Sequence, residues 1–287
     1  RNHLPTTRVS RERRPAATVK GMSDTVNNEI VTYSTEGRVG IITLNRPDAR
    51  NAINGDVARG LEAAIDQLEA DDEVWVGILT ANTEGQERPV FCAGADLKAI
   101  NSGQAGDLNT KRGGFAGFVY RERRKPIIVA VDGLATAGGC EIVLAADLVI
   151  ATTRSSFGLA EVKRNLIAGA GGLFRLPRAI GQAAAMEAIL TGDPIPAERA
   201  YHLGLVSRLV APGEAMNEAR KLAAQIATSA PLAVYASRQV VLAAAYQPDD
   251  ELKKLTNTLF AQVMASSDTK EGLTAFIEKR TPNWTGK

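Results

Sequence analysis

Ala135-Thr136-Ala137-Gly138-Gly139-Cys140-Glu141 joins two segments of different character. The preceding Pro126-Ile127-Ile128-Val129-Ala130-Val131-Asp132-Gly133 is a short β-branched run closed by a turn signal, the pattern of a buried strand. The following Ile142-Val143-Leu144-Ala145-Ala146 reads as the body of a helix. The glycines thus sit at a strand-to-helix junction. There the first helical N–H groups have no intrahelical partner and the helix dipole is positive, so an oxyanion can bind. Gly138 and Gly139 carry no Cβ, which lets a ligand approach their backbone closely. Glu141 falls in the first helical turn, within reach of whatever those N–H groups hold. Taken alone, the same residues also fit a tight turn followed by a glutamate that complements the dipole.

A second stretch of the same kind lies upstream. Phe91-Cys92-Ala93-Gly94-Ala95-Asp96-Leu97 follows the strand-like Val76-Gly77-Ile78-Leu79-Thr80 and leads into another helix start. Around the two stretches stand Leu44-Asn45-Arg46-Pro47 with Asn51-Ala52, then Phe157 to Glu161, Leu190-Thr191-Gly192, Gly204-Leu205-Val206 and Phe276-Ile277-Glu278-Lys279-Arg280. In these residues and their order the chain resembles the enoyl-CoA hydratase/isomerase (crotonase) superfamily, over nearly everything after Met22. The resemblance implies an α/β fold, with a spiral of repeated ββα turns over residues 22–212. A helical C-terminal region, 213–287, would follow and serve assembly as a homotrimer or a pair of trimers. It also implies an acyl-CoA substrate and no metal or redox cofactor, coenzyme A being part of the substrate.

Composition narrows the function classes independently. The chain of 287 residues is long enough for one large domain, and 45% hydrophobic with 23% charged residues is ordinary for a soluble protein. Its net charge of +2 is unevenly spread. Arg1, Arg8, Arg11, Arg13, Arg14 and Lys20 oppose Glu12 alone in residues 1–21, so the remainder is slightly acidic and lacks the basic face of a nucleic-acid-binding domain. That first segment has no apolar core and is not a secretory signal. It reads as an extension outside the fold, with a transit segment as the alternative. Cys92 and Cys140 are too few for a disulfide framework or a zinc site, and they read as small packing residues in a reduced, cytoplasmic setting. His3 and His202 are the only histidines, which excludes a multi-histidine metal site and leaves little room for a His-based triad. No apolar run approaches the roughly 20 residues of a membrane span.

Along the chain, Ile30 to Tyr33 and Val39 to Leu44 predict a hairpin, and Val57, Leu61, Ile65 and Leu68 fall at helical spacing. Gly103 to Gly117 carries five glycines and predicts a mobile segment with only short helix. Arg121-Glu122-Arg123-Arg124-Lys125 reads as a solvated helix end, or as charges that meet coenzyme phosphates. Leu148 to Ala151 and Ser156 to Gly158 predict two short strands. Ala168-Gly169-Ala170-Gly171-Gly172 fails the dinucleotide pattern, because Phe174 stands at the third glycine position. From Leu173 onward the pattern predicts helices without strands.

For the site, the resemblance implies that Ala95 and Gly138 each direct a backbone N–H at the thioester oxygen. It implies that Glu141 and Glu161 are the acid/base pair, Glu141 holding and activating a water and Glu161 protonating C2. Two close carboxylates, one with a raised pKa, can divide such work. Taken alone, Glu161 beside Lys163 and Arg164 reads as a surface residue. Asp96, Leu97 and Lys98 would help hold coenzyme A, and Phe276 and Lys279 would approach its nucleotide; core packing is the other reading of Phe276. Ala137 stands where many relatives have glycine and Ala160 where proline is common. Leu159 and residues 168–173 also depart from the best-characterised short-chain members, which bears on the acyl group accepted. Both glutamates being present favours a hydro-lyase that adds water reversibly to a 2-enoyl-CoA, giving a 3-hydroxyacyl-CoA. The alternatives are isomerisation, dehydration of a specialised 3-hydroxyacyl-CoA such as carnitinyl-CoA, and thioester hydrolysis. A non-enzymatic role, with the basic N-terminus binding RNA or a partner, is a third class.

Overall fold

The computed structural model describes residues 27–28 and 30–287, so the basic segment 1–21 lies outside the described residues. The first turn lays three antiparallel strands in a large sheet before its helix, and each of the next three turns lays one strand in that sheet, places the next in a smaller sheet and then runs into a helix. The first turn holds β1 (Asn27–Asn28), β2 (Val31–Glu36), β3 (Val39–Leu44) and α1 (Gly55–Ala70). The second holds β4 (Val76–Ala81), β5 (Val90–Cys92) and α2 (Leu97–Asn101), followed by a small hairpin of β6 (Asn109–Thr110) and β7 (Gly114–Phe115). The third runs through β8 (Ile127–Val131), β9 (Leu134–Thr136) and α3 (Gly138–Ala145). The fourth has β10 (Leu148–Thr152), β11 (Ser156–Gly158), a 3-10 turn at Glu161–Arg164, α4 (Gly172–Ile180) and α5 (Gln182–Thr191). Then come β12 (Ile195–Pro196), α6 (Ala197–His202) and β13 (Arg208–Val210), and finally α7 (Ala215–Ala227), α8 (Pro231–Ala243), α9 (Asp249–Met264) and α10 (Ser267–Glu278). The large sheet has the order β1-β2-β3-β4-β8-β10-β13 and is parallel from β3 onward; the small sheet is β12-β11-β9-β5. This is the expected α/β spiral with a helical C-terminal region.

A parallel strand covered on both faces reads as an unbroken apolar run, and β8 is buried at all five positions. Ile127, Val129 and Val131 face the main core with α1 and the small sheet, while Ile128 and Ala130 face Ala219 and Ala223 of α7. Helix α1 begins where the Asn54 side chain accepts from Val57 N at 3.0 Å, and it buries Val57, Leu61, Ile65 and Leu68 as the spacing predicts. Gly40 and Gly77 are partners in register and together leave the slot that Leu68 fills. A Cβ on Gly77 would lie 2.6 Å from the Leu68 Cδ1.

Three expectations need correction. The 103–117 segment contains a 3-10 turn and the β6–β7 hairpin rather than helix alone. Thr110 organises it by donating to Glu62 at 2.7 Å and accepting from Gly113 N at 2.9 Å. The 121–125 run is not a solvated helix end. Lys125 is buried and donates from Nζ to the carbonyls of Leu68 and Asp71 at the end of α1, and Arg123 is buried over the Phe118 ring. Their charges satisfy helix-end carbonyls, which a reading of charge alone does not reveal. After Leu173 the chain still contributes β12 and β13; β13 pairs with β10 and completes the large sheet. Within 213–287 the described elements are all helices.

The last residues fold back on α10. The buried Asp268 accepts from Thr285 N, Thr285 Oγ1 and Gly286 N, each at 2.8 Å, and its own N–H donates to the Lys287 carbonyl at 3.1 Å. Trp284 packs against α7 residues and donates to Thr228 O at 2.8 Å.

Candidate active site

The two glycine-rich stretches meet at the ends of neighbouring strands. β5 and β9 pair in parallel, so both chains leave the small sheet on the same side. A Cβ added to Gly94 would lie 2.9 Å from Gly138 N. The bridge between Ile53 and Ala95 uses Gly94 O and Asp96 N, at 2.8 Å each, and not the Ala95 N–H. Gly138 opens α3, so its N–H has no intrahelical acceptor. The Ala137 before it takes φ 51°, a conformation uncommon for a residue with a Cβ. The Phe115 ring lies so close to Gly138 that a Cβ there would collide with it. Helix α3 sits equally tight on β5, since a Cβ on Gly139 would strike the Cys92 carbonyl.

One turn into α3, Glu141 is 3% exposed. Its Oε1 accepts from Ala170 N at 2.7 Å and from Gly172 N at 2.9 Å. Gly172 is the first residue of α4 and Gly171 precedes it at φ 103°. The carboxylate therefore caps a helix other than its own, and the small residues 168–172 provide the close approach. Burial pushes Glu141 up from the ordinary 4.5 to about 7; the Gly172 bond opposes this, the Glu161 charge adds to it, and Ala170 and Arg175 oppose it. Glu161 opens the 3-10 turn after β11. Its Oε2 is buried without a hydrogen-bond partner among the described residues, and its pKa is also raised, chiefly by burial. The Glu161 charge is felt at Glu141, and its enclosed Oε2 does not fit a plain surface glutamate.

Asp96 caps α2 by accepting from Lys98 N at 3.0 Å and pairs with Arg46 at 3.2 Å, while Leu97 and Lys98 are exposed beside it. Phe276 is 84% exposed on α10, which rules out core packing within the chain. Lys279 ends that helix in the left-handed conformation. Neither forms a hydrogen bond with the glycine-rich stretches. Cys92 and Cys140 are buried, and burial raises both thiols, Cys92 to about 12, so neither is poised as a nucleophile. Sequence reasoning missed the Ala170 and Gly172 N–H groups that hold Glu141. The signal was the run of small residues just before a helix, which can present N–H groups to any anion and not to phosphate alone.

Comparison with known proteins identifies the family. Residues 34–287 match the family profile described as enoyl-CoA hydratase/isomerase. The chain belongs to that family. A solved structure of enoyl-CoA hydratase from Mycobacterium tuberculosis superposes with a TM-score of 0.84 at 46% identity, covering 90% of this chain and 99% of that one. A probable mitochondrial enoyl-CoA hydratase from Dictyostelium discoideum is 37% identical over 89% of this chain and 91% of its own length. A carnitinyl-CoA dehydratase from Proteus mirabilis is 38% identical over 88% of this chain and 97% of its own.

Proposed function

We propose that the protein is an enoyl-CoA hydratase, a hydro-lyase that adds water reversibly across the 2,3 double bond of a 2-enoyl-CoA. The observation that carries the proposal is the pair of carboxylates, Glu141 buried and Glu161 half-buried with its Oε2 enclosed, both with raised pKa values, beside two adjoining backbone turns. In this reading the N–H groups of Ala95 and Gly138 bind the thioester oxygen and stabilise the enolate-like charge of the addition. One such donor contributes about 3 kcal/mol in comparable sites. Ionised Glu141 takes a proton from water as the water oxygen bonds to C3, and protonated Glu161 delivers a proton to C2. One proton then passes between the two glutamates and solvent to restore the starting state, and the reverse sequence is dehydration. Asp96, Leu97 and Lys98, with Phe276 and Lys279 from the chain or a neighbouring copy, are the residues proposed to line coenzyme A. No metal or redox group is needed for these proton transfers. Exposed Val241, Phe260, Phe276 and Ile277 on the C-terminal helices, with Tyr246 between α8 and α9, support assembly as a homotrimer or hexamer.

The carnitinyl-CoA dehydratase relatives favour one second reading, in which the same two carboxylates act on a specialised 3-hydroxyacyl-CoA. A series of 2-enoyl-CoA esters of increasing chain length, with carnitinyl-CoA alongside, separates the two. Loss of enoyl-thioester absorbance with a 3-hydroxyacyl product is expected. Turnover of carnitinyl-CoA alone would select the second reading, and turnover of none would reject both.

A further inference from the structure

The clasp on Glu141 is itself held from one side by Arg175. Its Nη1 donates to the Ala170 carbonyl at 3.2 Å, on the residue whose N–H holds Glu141, and its Nη2 donates to the Val119 carbonyl at 2.6 Å. The guanidinium lies 5.2 Å from the Tyr120 ring, and the Tyr120 hydroxyl donates to Gly169 O at 3.4 Å. One side chain thus ties 168–172 to 113–120, the segment whose Phe115 packs on Gly138. We propose that Arg175 is a positioning residue that fixes the 168–172 loop around Glu141 and brings a positive charge to bear on that carboxylate. This rests on the reading of Glu141 as an acid/base group.

The groups around Glu141 come from three elements. Cys140 is its neighbour on α3, Glu161 faces it from the 3-10 turn, and Arg175 faces it from α4; Arg175 in turn faces Tyr120 and Arg178. Glu161 raises the Glu141 pKa, and Arg175 with the two N–H bonds lowers it. Removing the guanidinium loses its charge and slackens the N–H bonds, and both effects push Glu141 further up. The acid limb of the rate profile therefore moves to higher pH. The guanidinium reaches the Ala170 and Val119 carbonyls from two nitrogens held in one rigid plane, a fork that the single nitrogen of a lysine does not reproduce.

The test compares Arg175→Gln, Arg175→Lys and Glu141→Gln with the parent, using crotonyl-CoA over a pH series and separate kcat and KM. The expected result for R175Q is an acid limb raised by about one pH unit, a roughly tenfold loss on the acid side, with KM little changed. R175K keeps the charge, so its limb should move less than that of R175Q, while kcat falls several-fold. A purely structural arginine would lower kcat equally at every pH, so a folded R175Q with the parent limb would overturn the proposal. Should R175Q not fold, R175K decides: parent-like kcat would overturn the clasp, and a several-fold loss at parent KM would support it. If Glu141→Gln retains the parent rate, the acid/base reading itself fails. If only the arginine variants behave as the parent, that reading survives and the positioning role does not.

Discussion

Glu141 is held at about 7 instead of 4.5, so between these values the folded protein binds more protons than the unfolded chain. Stability then falls as pH rises through that window, and the cost is complete above it. Glu141→Gln keeps an oxygen for the two N–H donors and removes the charge. The variant should therefore be more stable than the parent at pH 8, by about 1–3 kcal/mol in denaturant unfolding, with the gain gone near pH 4.5. The same change should cost orders of magnitude in kcat, as should Glu161→Gln, with coenzyme-ester binding nearly intact. The double variant should lose far less than the product of the two, because the pair acts as one unit. Steady-state kinetics on all three would reject the two-carboxylate mechanism if Glu141→Gln hydrated at the parent rate. At this scale, the two glutamates stood out as candidates because they lie in stretches that resemble family motifs, and the roles proposed for them come from that resemblance. Arg175 was not, since its partners are backbone carbonyls 5 and 56 positions away.

Helix α3 starts where it does because Gly138 has no side chain to meet Phe115. Replacing Gly138 by proline to delete the donor would thus also force a Cβ into that ring. A cleaner experiment is Gly138→Ala, which keeps the N–H and adds only the collision. Its Tm should fall, and adding Phe115→Ala should recover much of the loss; no recovery would show that the ring is not what Gly138 accommodates. The long amphipathic helices and the β-branched strands were legible because their periods run over many residues. The β6–β7 hairpin, β12 and β13 were not. Each strand is two or three residues long, too short to show a period, and β12 and β13 also owe their pairing to strands distant in sequence. The 121–125 run misled for a related reason: its charges are spent on carbonyls of α1 and α3, which charge patterning cannot show.

Across the molecule, the apolar side chains exposed on α8, α9 and α10 form the face proposed to meet other copies. Light scattering after gel filtration should give three or six times the chain mass of 30.5 kDa. Phe276→Asp should shift the population toward smaller species, and a parent that runs as a monomer at every concentration would remove the basis for a shared coenzyme site. The order of the core was legible from its glycine-rich turns, whereas the way the C-terminal residues return to α10 left no periodic trace. That return has a practical consequence. Asp268 receives three donors from Thr285 and Gly286 and gives its N–H to Lys287, so the final residues work as a latch on the helix that carries Phe276. Replacing Thr285 and Gly286 by proline, which removes both backbone donors and the hydroxyl, would strand a buried charge at the base of that helix and loosen Trp284 from Thr228. The indole would report the release as a red-shifted emission before the sheet lost any of its order.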